Sequence, residues 1–394
     1  MSSQQQGSVN GVVVPYEPGT APSRLADPEV AERWRAVDRT AHAPHLVAVP
    51  GDGGDWVGAA LVTARPDTAY LKIVDAVGDV PAVVAAVVAH ARARGLVQLK
   101  WEGWTVTPEE AAAAGFTALE PPLSESEGAA GPATGYVRWL KDDGATASGY
   151  GGVTASGYDG VTAPAYDGVT AHPYDGVTAP AYDAVTAPPY YGQTTHFSCG
   201  AVTALVAQVH AGVLPREALD RRAELTLWRD ATNFMACDPV GLGVALRRSR
   251  PSSEVTVHLD TDRPVMLDHL PPGDQEWRAL LQQVSRTDAE RAGVPVDPGH
   301  LPLSAVRDAI GRREHVLLLL SLAAMQGFDV PHWVLCHGVV PGAVVIDDPW
   351  ANGATGDTWV DAHLLPVPDA SLDAMSTMEP GGFRGAVTMR SAHE

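Results

Sequence analysis

The sequence predicts an α+β protein of two folded units separated by a tandem repeat, and three observations carry that prediction. Residues 10–141 alternate short β-branched runs with helical patterns, residues 142–189 repeat with a period of eight, and residues 190–394 open on a cysteine at the head of an apolar helical run. At 394 residues and 45% hydrophobic content the chain is long enough for two or three buried cores.

In the first unit, GVVVPYEP reads as a short strand. Asp27-Pro28 then caps an amphipathic helix in DPEVAERWRAVDR, with Pro at the first helical position, where no amide partner is lost. Strand patterns follow at LVAVPG, WVGAALVTARPD and AYLKIVDAV, each broken by Gly, Asp or Pro. VPAVVAAVVAHARARG is an Ala-rich helix ending in arginines before Gly95, LVQLKWEG a strand, TPEEAAAAG a short helix stopped by Gly115, and YVRWL a last strand. Lys100 and Glu102 read as a solvated strand end.

This order of elements resembles the GNAT acetyltransferase fold, and AAAAGFTAL is similar to that family's late helix and following strand. The resemblance implies an acetyl-CoA pyrophosphate held by backbone amides on a loop of pattern Arg/Gln-x-x-Gly-x-Gly/Ala at the head of the long helix. Here that loop is DAVGDVP, with one glycine, Gly78, no arginine, and two aspartates that repel phosphate. A degenerate GNAT-like module that packs on its neighbour or binds a peptide is expected.

Tyrosine recurs every eight residues at Tyr150, Tyr158, Tyr166, Tyr174, Tyr182 and Tyr190, and Asp159, Asp167, Asp175 and Asp183 follow four of them. No Lys or Arg lies between Lys141 and Arg216. Units with one Val and one Tyr apiece cannot bury a core, and their Asp-Gly and Ala-Pro steps favour turns and extended chain. One reading is a spacer. The other is a substrate carried in cis, because near-identical units bearing Asp, Thr and Tyr resemble the multi-core precursors of ribosomally made, modified peptides. The period runs in phase into Tyr190-Tyr191-Gly192-Gln193-Thr194-Thr195.

The formal charge of −20, from 47 acidic against 27 basic residues, argues against nucleic acid or an anionic membrane surface as a partner. The three cysteines, Cys199, Cys237 and Cys336, are too few and odd in number for a disulfide framework, which fits a reducing compartment. MSSQQQGSVNGVVV has no basic n-region, and no run approaches the roughly 18 apolar residues of a membrane span. A cytoplasmic protein is expected.

The stretch YYGQTTHFSCGAVTALVAQV concentrates the chemistry. A thiol that opens a helix lies at the positive end of the helix dipole, which favours thiolate. Downstream, VPHWVLCHGVV supplies His332 on a strand, Pro341-Gly342 makes a turn, and AVVIDDPW is the returning strand that ends at Asp347 and Asp348. An antiparallel hairpin can bring such ends side by side, with Asp347 turned to the opposite face by strand alternation. Gln193 six positions before Cys199, the Cys-Gly helix start, the His-Trp-Val strand and the Asp-Pro ending together resemble papain-like cysteine peptidases, and most closely their bacteriocin-leader peptidase branch. The resemblance implies Cys199 as nucleophile, His332 as base, Asp348 as its orienting group and Gln193 as oxyanion donor. The usual Pro after Cys-Gly is Ala201 here. ELTLWRDATNF and the loop at Asp238-Pro239 resemble a fusion subgroup in which a GNAT-like unit precedes such a peptidase domain.

A thioester on Cys199 can be attacked by water or by an amine or hydroxyl, so hydrolysis and acyl transfer both stay open. The substrate expected is a peptide or protein, the chain's own repeat included, with no cofactor and no metal. His332 and Cys336, about 13 Å apart at about 3.3 Å per strand residue, are too distant to share zinc. Cys237 and Cys336 read as buried small hydrophobes, Trp333 and Trp350 as packing or a cleft wall, and His210, His300 and His363 have no suggestive spacing. The alternative class is a non-catalytic binding or precursor protein whose repeat is the part that is modified.

Overall fold

The computed structural model describes residues 11–17, 25–124, 131–140, 185–232, 234–268, 270–378 and 381–391. The repeat from Tyr150 to Tyr182, and with it the choice between spacer and cis substrate, lies outside the described residues; Tyr190 lies inside them.

The first unit contains β1 (Val12–Pro15), α1 (Pro28–Arg35), β2 (His45–Pro50), β3 (Trp56–Thr63), β4 (Tyr70–Gly78), α2 (Val80–Ala93), β5 (Gln98–Glu102), α3 (Pro108–Ala113), β6 (Thr117–Ala118) and β7 (Gly135–Trp139). Among the described residues these strands form a seven-stranded sheet ordered β1-β2-β3-β4-β5-β7-β6, in which β4 and β5 are parallel. The elements follow the order that the GNAT resemblance implies. Local chemistry sets the helix starts: Asp27 accepts from the Val30 amide at 2.9 Å, and Thr107 and Glu110 form a reciprocal capping box on α3. Strand alternation divides the apolar residues between the faces. Val47, Val62, Leu71 and Ile73 pack under Val83, Val84 and Val87 of α2, while Leu46, Ala59 and Leu61 pack under Trp34 of α1.

The second unit contains α4 (Cys199–His210), α5 (Arg221–Ala231), α6 (Pro239–Ser249), β8 (Glu254–Leu259), α7 (Pro272–Ala292), β9 (Val296–Asp297), α8 (Leu303–Gly311), β10 (His315–Ser321), α9 (Ala323–Gln326), β11 (Pro331–Val340), β12 (Ala343–Asp347), α10 (Trp359–Ala362), β13 (Leu365–Pro368), α11 (Asp369–Met375) and β14 (Gly385–Arg390). Its sheet is ordered β13-β12-β11-β10-β14-β8-β9. Leu317, Leu319, Trp333 and Leu335 face a core shared with α4 and α6. Val316, Leu318, Val334 and Ile346 face the opposite core, under α8 and α11. Helix α4 has no polar face because it is the central helix: Cys199 to Gln208 are all buried.

The two units meet through an apolar cluster, in which Leu119 and Val137 pack with Val340, Trp359 and Val360, and through polar groups. Tyr70, Lys72, Gln98, Lys100 and Glu102, on one face of β4 and β5, are all buried beneath the segment around α10. Tyr70 donates to Asp361 Oδ1 at 2.6 Å, and Lys72 pairs with both Asp361 and Glu102, the latter at 2.7 Å. Lys100 donates to the carbonyls of Asp361 (2.7 Å) and His363 (2.6 Å). The strand end that reads as solvated is therefore an interior interface; alternation identifies a polar face correctly and says nothing of what covers it. Burial among neutral acceptors, only partly offset by Asp361, pushes the Lys100 ammonium down to about 7.

Residues 185–192 run into this junction as extended chain. Val185 packs against Gly338, and Tyr190 is buried against Trp359 and His363. The Tyr190 carbonyl accepts from the Leu123 amide at 2.9 Å, and the Gly192 amide donates to Ser124 at 2.8 Å.

Candidate active site

Cys199 is the first residue of α4, and the close fit of that helix end explains the glycine after it. A Cβ at Gly200 would stand 3.0 Å from Trp333 Cδ1 and 3.3 Å from Cys237 Cβ. The N-cap residue Ser198 makes no side-chain bond to the first-turn amides, so these remain aimed at the space before the helix. Instead Ser198 Oγ donates to Glu224 of α5. Glu224, itself fully buried, also accepts from the Thr194 amide (2.8 Å), Thr194 Oγ1 (2.8 Å) and Tyr191 OH (3.2 Å). One carboxylate thus holds the loop that carries Gln193 against the helix that carries Cys199. No local motif marks Glu224; its N-terminal position in α5 reads as ordinary dipole compensation.

The β11–β12 hairpin supplies the other side. Residues pair antiparallel, Leu335 opposite Asp347, with a register shift between Cys336 and Gly338. That geometry returns Asp348 to His332: His332 Nε2 and Asp348 Oδ1 are 2.7 Å apart. Cys199 lines the same cavity as this imidazole, and because Nε2 is committed to Asp348, Nδ1 is the nitrogen left to face the sulfur. Burial opposes charge on His332, but the carboxylate of Asp348 and the sulfur of Cys199 outweigh it and push the imidazole up to about 10. Burial likewise opposes ionisation of Asp348, yet His332 and the Arg65 guanidinium hold the carboxyl below its usual range. Asp347 turns away, as strand alternation requires, and pairs with His363 at 3.0 Å.

Gln193, Cys199 and His332 line one cavity of about 350 Å³. Beyond these and His196 the lining is apolar, with Phe197, Met235, Phe328 and Trp350 its largest side chains. Gln193 Nε2 donates one hydrogen to the Thr195 carbonyl at 2.8 Å, which orients the amide and leaves its second N–H uncommitted. The four sequence-predicted residues therefore come together, three on the cavity and Asp348 behind His332. Trp350 is a cleft wall, and Trp333 is fully buried packing whose indole donates to the Cys237 carbonyl at 3.1 Å. Cys237 and Cys336 are buried, and burial pushes both thiols up, as their reading as small hydrophobes requires.

Arg65, which follows β3 in the first unit, was not foreseen. Its Nη1 donates to Asp348 Oδ2 at 2.6 Å, and its Nε and Nη2 grip Asp357 at 3.0 and 2.6 Å. A larger cavity, about 1160 Å³, opens at the other end of α4 around His210, His315 and His337 and contains none of the four. Burial pushes His210 down to about 4 and His315 to about 3, so these imidazoles are neutral.

The residues at the head of α2 do not fit acetyl-CoA. Asp79 caps that helix by accepting from the Ala82 amide at 3.1 Å, which puts a carboxylate where a pyrophosphate needs amides. Gly78 offers no opening either, since a Cβ there would stand 2.2 Å from the Val57 carbonyl oxygen.

No helix of the described residues is long and apolar enough to cross a membrane. No curated protein matches the chain. Solved structures that resemble it include the ribosomal-protein-S18-alanine N-acetyltransferase from Escherichia coli, 11% identical, covering 34% of this chain and 97% of that one at a TM-score of 0.24. An acetyltransferase of the GNAT family from Staphylococcus aureus MU50 is 12% identical and covers 28% of this chain and 76% of its own at 0.21. Nourseothricin acetyltransferase is 19% identical, with 25% and 66% covered at 0.20. The model of the Peptidase C39 like family matches residues 188–390, over half of the chain and the whole segment that carries Gln193, Cys199, His332 and Asp348, and the chain belongs to that family.

Proposed function

We propose that the chain is a cysteine peptidase or acyltransferase that acts on a peptide. The observation that carries the reading is the grouping on one cavity: Gln193, Cys199 and His332 line it together, and His332 is hydrogen-bonded to Asp348 behind it. His332, kept protonated by Asp348, stabilises the Cys199 thiolate as an ion pair. The sulfur attacks a peptide carbonyl, forming the S–C bond, while negative charge gathers on the carbonyl oxygen near the free Gln193 N–H and the first amides of α4. As the C–N bond breaks, His332 gives its proton to the leaving amine. Water, or an amine or hydroxyl of a second peptide, then attacks the thioester and loses its proton to His332, and the S–C bond breaks to restore the ion pair.

The apolar wall of Phe197, Met235, Phe328 and Trp350 suits a substrate with a bulky apolar residue next to the scissile bond. Within this reading the chain acts in maturation of a ribosomal peptide, its own repeat being one candidate substrate, and the GNAT-like unit serves as scaffold rather than acetyl donor. The test is to incubate wild type and Cys199→Ala with a peptide panel that includes the excised repeat, and to read masses together with iodoacetamide labelling. Loss of both turnover and fast labelling in the variant is expected. Turnover that survives the substitution overturns the reading.

A further inference from the structure

The buried contact between Arg65 and Asp348 joins the first unit to this site, and it divides the carboxylate in a specific way. Asp348 Oδ1 accepts from His332 Nε2 (2.7 Å) and the Trp350 amide (2.8 Å), while Oδ2 accepts from Arg65 Nη1 (2.6 Å). The guanidinium is fixed in turn: Nε and Nη2 hold Asp357, Nη2 also donates to the Trp350 carbonyl at 3.0 Å, and the Arg65 amide donates to Tyr70 OH at 3.3 Å. Asp357 is braced by Gln326 Nε2 at 2.9 Å. Both oxygens of Asp348 are thereby immobilised in a plane set by a rigid fork of donors, which a lysine cannot reproduce.

We infer that Arg65 is a positioning residue for the candidate centre: the first unit reaches across the junction to orient Asp348, and so His332, and the centre is complete only when both units are docked. The inference rests on the cysteine reading above. It gives the first unit a role in the chemistry of the second without any acyl transfer of its own. The charged and titratable groups around Asp348 and His332 include Cys199 from α4, His196 from the loop before it, Tyr190 from the incoming extended chain, Arg65 from the first unit, Asp357 behind Arg65, and the neighbouring Asp347. Among these Arg65 is the cation that faces Asp348 from the first unit. Removing a cation from this set makes every member harder to ionise negatively, and removing Asp357 does the reverse.

The experiment uses the full chain and iodoacetamide, with the alkylation rate of Cys199 followed by intact mass across pH and with folding checked by thermal melts. The variants are Arg65→Lys, Arg65→Met with Asp357→Asn, and Asp357→Asn alone. For the Arg65→Met double variant the acid limb of the rate profile is expected to rise by about one to three pH units relative to Asp357→Asn alone. The plateau is expected to fall roughly tenfold or more as His332 loses its orientation. Arg65→Lys should recover part of the limb, which reads charge, and little of the plateau, which reads the fork. Asp357→Asn alone should move the limb downward. A purely structural ion pair would lower the melts and leave the profiles of folded variants unchanged, and that result overturns the inference. If both Arg65 variants fail to fold, an unmoved or raised limb in Asp357→Asn overturns it as well. A wild-type Cys199 that reacts no faster than free cysteine sinks the cysteine reading itself, and the inference with it.

Discussion

Replacing Asp348 by Asn removes the counter-ion of His332 while keeping its shape, and the cost depends on pH in a way that can be worked out. The imidazole is raised from 6.5 to about 10, against the opposing effect of burial, mainly by Asp348. A group whose folded-state value is raised contributes stability that is fully present below its unfolded value and is lost as pH rises through the folded one. Wild type should therefore hold this contribution below pH 6.5 and lose it by about pH 10. The contribution is at most roughly 5 kcal/mol, since each pH unit corresponds to about 1.4 kcal/mol. Lys100 acts with the opposite sign: lowered from 10.5 to about 7, it makes the chain more stable as pH rises between those values. A wild-type curve alone thus mixes the two, whereas the difference between wild type and Asp348→Asn isolates His332, because Lys100 is common to both. The assay is urea unfolding followed by tryptophan fluorescence at steps across that window. The difference should be largest near pH 6.5 and shrink steadily toward pH 10, over a constant offset from the unpaired Arg65. A difference that does not change with pH refutes the ion pair as the source of the raised imidazole. At neutral pH the same variant should lose about 10²- to 10⁴-fold in the alkylation rate of Cys199.

Three further outcomes are expected. Gly200→Ala, which presses a methyl group against Trp333 and Cys237, should cost about 1–3 kcal/mol in urea unfolding and slow alkylation by tilting the helix end. Glu224→Gln keeps shape but cannot accept from Thr194, Tyr191 and Ser198 together; a loss of roughly 1.5–3 kcal/mol is expected, with slower turnover as the Gln193 loop loosens. Lys72→Met strands Glu102 and Asp361 without their shared cation and should cost about 3–5 kcal/mol, with limited proteolysis cutting first between the two units.

What could be read from the residues was local. Asp27 before Pro28 and the β11–β12 hairpin signals are short-range physics, and the structure has an element at each. The grouping of Cys199, His332 and Asp348 was legible too, because these residues sit on a helix start and a hairpin, whose geometry is fixed by the chain itself. Helix α7 was missed, although Pro272 and the left-handed Gly293 bracket it. Its pattern is inverted: Arg278 and Gln282 are buried, bonding to the Ala236 carbonyl and to Val265, while Trp277, Leu280 and Val284 are exposed. Hydrophobic periodicity points such a helix the wrong way. Arg65 and Asp348 are 283 positions apart, and nothing local to an Arg-Pro turn announces a partner at that distance. Lys72, Lys100 and Glu102 were hidden for a related reason, since a polar strand face looks the same whether water or another unit covers it.

The seat that holds Val185 and Tyr190 sets a rule for how this gene can change length. In every unit the valine precedes the next tyrosine by five positions, as in Val161 and Tyr166, Val169 and Tyr174, and Val177 and Tyr182. Excising one whole block of eight up to Tyr190 brings Val177 and Tyr182 to the same seat, with Tyr191 and Gln193 following as before. Copying errors in whole units therefore keep the valine and the tyrosine at their places on the approach to Cys199, while a loss of one to seven residues up to Tyr190 puts a non-aromatic residue where the junction holds an aromatic ring. Copy number is free to drift under that filter, and the register of the last unit is not.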